Sequence, residues 1–298
     1  MNRPQLFLGA GFQPPGHLLP VAALADETGF DGVALPDHVA NPVRIDTHYP
    51  GTADGSTPWE LDSTPWPDPW VGLTAVAAAT RRLHVMTHIM VLPMRNVFLT
   101  AKMVGTVAAM FPGRVHLGVG VGWMPEEFAL LDSDFHTRGA RTEEMVAVLR
   151  ALWGEQPASF SGKHHSFESV AMFPVPSVPV PIYGSGSSEA ALDRAARVMD
   201  GFVAMPCSVD EIENDLMPAL RARLGRYGRS ISDFHVNVIP AQVGPDDLRR
   251  LADLGVTSVQ VHPFARDQAL HAPLPDKLDA VRRWADRVLT GREPQDEA

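Results

Sequence analysis

Arg114-Val-His-Leu-Gly-Val-Gly-Val-Gly-Trp123 is the stretch on which the reading of the whole chain turns. Val115 to Val121 is a short apolar run, interrupted by Gly118 and Gly120, followed by Gly122 and closed by Trp123. Glycine in a strand gives up side-chain packing and backbone order, so its repetition implies that something flat comes close to the backbone. Trp123 stands where the strand opens into a loop. Asp37-His38 lies just past the strand-like run Gly32-Val-Ala-Leu-Pro36, and Gly184-Ser-Gly-Ser187 closes Val180-Pro-Ile-Tyr-Gly184. The three segments together point to a ligand pocket at one end of a parallel barrel.

Outward from this strand, apolar runs and helical patterns alternate. Upstream, the strands expected are Leu6 to Ala10, Gly32 to Pro36 and Leu83 to Leu92, with helices at His17 to Thr28, Pro69 to Thr80 and Val97 to Met110. Asn41 to Pro67 lacks periodicity and is rich in Pro, Gly, Asp and Thr. Loops of that length are usually functional or disordered. Downstream, Met145, Val148, Leu149 and Leu152 form the stripe of a packed helix over Thr137 to Trp153, and 154–179 is a second irregular excursion. Strands at Val180 to Gly184, Gly201 to Met205, Phe234 to Pro240 and Val256 to Val261 alternate with helices at Ser187 to Met199, Val209 to Leu224, Asp246 to Leu254 and Lys277 to Leu289. Eight strands alternating with eight helices predict an α/β fold of one domain over 1–298, a (β/α)8 TIM barrel with insertions after strands 2 and 4. A doubly wound sheet is the rival, and no Gly-x-Gly-x-x-Gly follows the first strand.

The formal net charge of -10 argues against nucleic acid or an anionic membrane as the main partner. It leaves room for an anionic cofactor, which backbone N–H groups and a few arginines can hold locally. Cys207 is the only cysteine, which rules out an intrachain disulfide and a thiolate metal cluster. There is no run long enough for a spanning helix, and the first residues lack the apolar core of a signal peptide, so a reducing cytoplasm is the expected location.

In a barrel of this kind the chemistry lies at the C-terminal ends of the strands. Asp37-His38 there is either an acid–base pair or a loop cap beside a packed imidazole. Gly184-Ser-Gly-Ser187 is either an anion cradle at a helix start or an ordinary turn with an N-cap. His84, His88 and His116 have no metal-ligand spacing, so no metal is expected. His164-His165 reads as a solvated loop. Glu126-Glu127 read as a solvated first helical turn or, for one of them, a pocket acid. Arg138 and Arg141 with Glu143-Glu144 read as a local salt-bridge network.

The run Gly113 to Phe128, followed by Arg138-Gly-Ala-Arg-Thr-Glu-Glu144 and Leu149-Arg-Ala-Leu-Trp153, resembles the luciferase-like monooxygenase superfamily, in the branch that uses coenzyme F420. Leu35-Pro-Asp-His38, Val91-Leu-Pro-Met-Arg-Asn96, Pro181-Ile-Tyr-Gly-Ser-Gly186 and Arg194 to Phe202 extend the resemblance over nearly the whole chain. It implies a deazaflavin or flavin across the barrel mouth. The phosphate would sit on Gly184, Ser185, Gly186 and Ser187, with Tyr183 beside them. The ring would lie against a bulged third strand with a non-proline cis peptide at His88-Ile89, and Gly118, Val119, Gly120, Gly122 and Trp123 would line its other side. Asp37 and His38 match positions that contact the ring and take part in proton transfer.

Relatives acting on sugar phosphates carry a Glu where Trp123 stands and a Lys where Ser208 stands, so a sugar phosphate is not expected. Trp123 offers a flat apolar wall that suits a ring or alkyl substrate. The activity implied is F420-dependent hydride transfer to or from a small organic molecule. The alternative is a two-component FMN monooxygenase fed by a partner reductase. A homodimer is expected, with Val71 to Ala79 and Phe98 to Met110 as candidate interface helices. The loop from Asn41 to Pro67, with Trp59 and Trp66, is expected to lid the pocket.

Overall fold

Eight parallel strands form the centre of the molecule: β1 (Gln5–Gly9), β2 (Gly32–Leu35), β3 (His84–Thr87), β4 (Val115–Gly120), β5 (Ile182–Ser185), β6 (Gly201–Cys207), β7 (His235–Pro240) and β8 (Ser258–Val261). The computed structural model describes residues 3–52 and 54–290, so both ends of the expected 1–298 span lie outside the described residues. The strands pair in the order 3-2-1-8-7-6-5-4, and Val85 of β3 pairs with Val115 of β4 to close the ring. Eight helices alternate with them: α1 (Leu18–Thr28), α2 (Pro69–Ala79), α3 (Val97–Met110), α4 (Arg138–Trp153), α5 (Glu189–Val198), α6 (Met217–Arg226), α7 (Pro245–Asp253) and α8 (Leu274–Ala285). This is the (β/α)8 barrel expected from the alternation.

The two faces of β4 explain how the strand serves two cores. Val115, Leu117 and Val119 pack outward in the large core shared with the helices. His116 points inward, edge-on to Phe7. Phe7, Ala34, Met86, Tyr183 and Val203 fill the barrel interior. The helices start where the sequence supplies caps. Asp68 accepts the N–H groups of Trp70 and Val71 at the start of α2, and Asn96 those of Phe98 and Leu99 at α3. Gly29, at φ 97°, ends α1 in the left-handed conformation that glycine adopts without a Cβ clash.

The third strand is not the unbroken run that the apolar pattern alone gives, and it carries the interruption that the family resemblance implies. It stops at Thr87, passes through a cis His88-Ile89 peptide, resumes at Met90–Val91 against Val119 and Gly120, and turns into a short helix at Leu92–Met94. The excursion at 154–179 is also more regular than expected. Ala158–Ser161 and Ser166–Val170 form an antiparallel hairpin. A Ser and Phe alternation over so few residues is too short a signal to separate from loop. Short helices at Pro125–Leu130 and Arg266–His271 complete the mouth side. Among the described residues no helix is long and apolar enough to cross a membrane.

Candidate functional site

Asp37 and His38 follow β2 and are both buried, at 4 % and 7 % exposure. Adjacent in sequence, they diverge in space. Asp37 Oδ2 accepts the Val91 N–H at 3.0 Å, and Oδ1 accepts Arg95 Nη2 at 2.5 Å. Arg95 reaches on to Asp68, the cap of α2, at 3.1 Å. Asp37 therefore ties the end of β2 to the resumed third strand and to α2, with both oxygens engaged. It does not orient His38.

His38 takes its carboxylate from Glu127, on the short helix after β4. His38 Nδ1 lies 2.7 Å from Glu127 Oε2, and Glu127 Oε1 accepts the N–H groups of Val39 at 2.7 Å and Ala40 at 3.2 Å. An ionised carboxylate only accepts, so the network places a proton on Nδ1 and leaves Nε2 of the neutral ring as a base. Glu127 is 1 % exposed, which fits the pocket acid allowed for one of the pair and not a solvated first turn. Its neighbour Glu126 accepts from the N–H groups of Asp46 and Thr47 and from the Thr47 hydroxyl, at 2.9–3.1 Å. Two consecutive glutamates thus fasten the insertion after β2. No local pattern signals this, because their partners lie 80 and 88 residues upstream in sequence.

An aromatic cluster gathers over His38. Trp66 lies edge-on to the imidazole with centroids 4.6 Å apart, Trp59 lies 5.6 Å away and Trp123 6.4 Å away. Phe12, held at φ 62°, stacks on Trp59 and meets Trp66 edge-on, while Tyr49 bridges Trp59 and Trp123. The expected lid segment is thus packed on the His38 side of the mouth.

The glycines of β4 have a more specific cause than the flat-ligand reading gave them. A Cβ on Gly118 would lie 2.2 Å from the Thr87 carbonyl oxygen, and one on Gly120 would lie 2.4 Å from Ile89 Cδ1. Both make room for the interrupted third strand. Gly122, at φ 81°, turns the chain where a side chain would strike Phe128 and Val91. What approaches the β4 backbone is the neighbouring strand. Val119 points outward to the helices and not to the mouth.

At the end of β5, Gly184 faces outward, where a Cβ would lie 3.1 Å from Ala195 Cβ of α5. Ser185 is buried, Gly186 sits at φ 136°, and Ser187 is exposed. The cap of α5 is Ser188, one residue later than expected, and it accepts the Ala191 N–H. Ser187 and Gly186 are thereby left at the rim, ahead of a helix N-terminus. Arg138, at the start of α4, is a cation beside the end of β4. Its hydrogen bonds go to the carbonyls of Gly122 and Phe135, and its guanidinium lies 3.7 Å from the Phe135 ring centre. The expected local network is replaced by longer-range pairs. Glu143 binds Arg194 and Arg197 of α5, and Glu144 receives the N–H groups of Lys163, His164 and His165 in the hairpin turn. Arg141 ties α4 to the Pro93 carbonyl.

Tyr183 is not part of the mouth. Its hydroxyl is 2.8 Å from His116 Nδ1, its ring stacks on His235 at 4.4 Å, and burial pushes it above the usual phenol range. His116 also meets His84 at 2.7 Å. These residues form a polar layer deep in the barrel. At the mouth, burial holds His88 neutral, its pKa lowered to about 3, with Nε2 buried and unpartnered. His262, just past β8, packs its ring over Gly9 and is lowered to about 4 by burial and by Arg266.

The model of the luciferase-like monooxygenase family matches residues 1–287. An uncharacterized protein of Mycobacterium tuberculosis is 33% identical over 275 residues, covering 91% of this chain and 94% of its own. An F420-dependent glucose-6-phosphate dehydrogenase of Beutenbergia cavernae is 31% identical over 242 residues, 80% of this chain and 67% of its own. In three dimensions the chain is similar to an F420-dependent secondary alcohol dehydrogenase solved with an F420-acetone adduct, at TM-score 0.75 and 18% identity over 98% of this chain and 100% of the other. A monooxygenase of Streptomyces bottropensis superposes at TM-score 0.70 and 20% identity, over 96% and 99%.

Proposed function

The chain belongs to the luciferase-like monooxygenase family, and on that premise we propose that it is an F420-dependent oxidoreductase. It transfers hydride between the deazaflavin and a small organic molecule at a C=C, C=N or C=O/alcohol group. The observation that carries this reading is the His38–Glu127 pair at the barrel mouth, with Nδ1 locked and Nε2 open. Once bound, the deazaflavin supplies a ring carbon that gives or accepts hydride and does not activate oxygen.

The residues present fit such a group. Gly186 and Ser187 ahead of α5, with Arg138 unpaired by any carboxylate among the described residues, suit its phosphate. His88 Nε2 is a buried polar atom in want of a partner on the ring side. Ile89, held against Gly120, offers the ring an apolar seat. His38 gives the proton that accompanies hydride to the substrate, or takes it in the reverse direction. Glu127 holds the imidazole and stabilises its charged form. Asp37 positions and does not touch the reacting atoms.

Ser208 speaks against a phosphorylated substrate. Its N–H and hydroxyl are both engaged by Glu211, which sets a carboxylate where sugar-phosphate relatives carry a lysine. A homodimer through α2 and α3 is supported by Val71 and Leu99, each 72 % exposed.

Equilibrium titration tests the cofactor. F420 is expected to bind with its fluorescence altered, and reduced FMN to bind more weakly. Tighter binding of reduced FMN, with oxygen consumption when a reductase is supplied, would replace this reading by the two-component monooxygenase. Light scattering tests the dimer, and Leu99→Arg is expected to yield a monomer.

A further inference from the structure

We propose that Thr57-Pro-Trp-Glu-Leu-Asp-Ser-Thr-Pro-Trp-Pro67 is a gate over His38, latched shut by Arg266. This deepens the functional reading and rests on it for its purpose, since His38 is the group that carries the proton there. The segment lies where a gate has to lie. Trp66 and Trp59 stand 4.6 Å and 5.6 Å from the imidazole, ring centre to ring centre, and His38 is left 7 % exposed beside them.

Hydrogen bonding sets the segment apart from its flanks. Pro58, Pro65 and Pro67 fix φ and carry no N–H, so the chain is stiff and has few donors to offer a neighbour. Among the described residues its hydrogen bonds are internal with one exception: Thr57 Oγ1 donates to Trp59 O, Ser63 Oγ to Glu60 Oε2 and the Thr64 N–H to Glu60 O. The exception is Arg266, whose Nη1 donates to the Pro58 carbonyl at 3.0 Å. The chain on either side is fastened. Upstream, Glu126 accepts the N–H groups of Asp46 and Thr47. Downstream, Asp68 caps α2 and accepts Arg95 Nη1 at 3.1 Å. A stiff piece between fastened flanks, joined to the barrel by a single hydrogen bond, moves as a unit once that bond is released.

The latch is firm and the seat is not. Arg266 opens the short helix Arg266–His271, and its guanidinium lies 5.0 Å from the Phe12 ring centre. Lys277 of α8, 1 % exposed, holds that helix, because its Nζ donates to the Ala269 carbonyl at 2.5 Å and to His17 Nδ1 at 2.9 Å. Arg266 therefore acts from a fixed support. Under the gate, polar groups go unsatisfied. Trp59 Nε1, Trp66 Nε1 and Thr64 Oγ1 are buried without partners. Trp66 and Pro67 line a cavity of about 10 Å³ together with Gln13, whose Oε1 is unpartnered as well. Opening returns these groups to water, which offsets part of the ring contact that is lost. The closed position is thus held by ring packing and the Arg266 bond.

Diethyl pyrocarbonate labelling of the whole protein near neutral pH, with the rate at each histidine read by mass spectrometry, tests this without cofactor. The reagent acylates a neutral imidazole nitrogen, and it reaches His38 Nε2 only as far as the gate allows. Exposed His136 is the reference for intrinsic reactivity, and buried His116 reports any general loosening. Arg266→Met keeps an apolar stem over Phe12 and removes the donors. It is expected to raise the His38 rate by about three- to tenfold relative to His136 and to leave His116 unchanged. Arg266→Lys keeps a donor for the Pro58 carbonyl and should raise it less. Hydroxyl-radical oxidation of Trp59 and Trp66 should rise in the Met variant, and that of Trp284 in α8 should not. An unchanged His38 rate, a rise that His116 shares, or unchanged oxidation of both gate tryptophans would overturn the proposal. Arg266→Gln, also without the charge, decides the matter if the Met variant does not fold. Failure of the cofactor reading is separable, because F420 would then not bind while His38 labelling still followed Arg266.

Discussion

Replacing Glu127 separates holding the loop from setting the histidine. In Glu127→Gln the remaining carbonyl oxygen still accepts from Val39 and Ala40, because turning the amide over would set its NH2 group against two N–H donors. The NH2 group then faces His38 Nδ1, which must accept. The proton of the neutral ring moves to Nε2, and the base that faced the mouth becomes a donor. Trading a charge-assisted hydrogen bond for a neutral one costs about 1–2 kcal/mol, a fall in Tm of roughly 2–8 °C for a chain of this size. Glu127→Ala instead strands three donors now held at 2.7–3.2 Å. Its expected cost is about 3–5 kcal/mol, or roughly 6–20 °C. Cofactor turnover in the Gln variant should fall by about 10²–10⁴, the usual worth of a positioned acid or base, with cofactor affinity unchanged. Long-range 1H–15N correlation spectra of the histidines report the tautomer, and calorimetric melts report stability. A Gln variant that kept the proton on Nδ1 and full turnover would refute the reasoning.

Gly118→Ala drives a methyl group into the Thr87 carbonyl at 2.2 Å and should cost about 3 kcal/mol, while Gly225→Ala in α6, with nothing within 4 Å, should gain about 0.5–1 kcal/mol; thermal melts that fail to move in opposite directions would contradict the packing described. Acid should weaken the fold before it touches most carboxylates. Burial holds His88 at about 3 and His235 and His262 at about 4, so between those values and the unfolded value of 6.5 the unfolded chain binds more protons. Stability is then full above about pH 6.5 and falls as the pH drops towards 4, and a urea midpoint unchanged between pH 7.5 and 5 would count against it. Arg138→Ala should weaken F420 about tenfold in calorimetry and leave the phosphate-free deazaflavin nucleoside unaffected; equal losses for both would remove Arg138 from the phosphate site.

The order of strands and helices was legible in the sequence because each apolar run and each 3.6-residue stripe is a local property. Strand-end placement of His38, Trp123 and the Gly186–Ser187 turn followed from that order, since a barrel of this kind gathers its strand ends at one mouth. The cis His88-Ile89 position followed from family resemblance and not from periodicity. What the glycines of β4 make room for was not legible. Their meaning depends on how close Thr87 and Ile89 come across the sheet, and pairing distance is not written in one strand. A pocket acid at Glu126 or Glu127 was one of two readings the sequence allowed, but its pairing with His38 was hidden for the same reason. Asp37 is adjacent in the chain yet turns to Arg95, while Glu127, 89 residues away, supplies the contact. Tyr183 and Val119 show the converse, since the strand's alternation sends one into the barrel and the other out to the helices. Sequence settles which groups are available and roughly at which end of the molecule. Only the folded chain decides which donor meets which acceptor, because hydrogen bonds act over about 3 Å and the partners are brought to that range by tertiary packing alone.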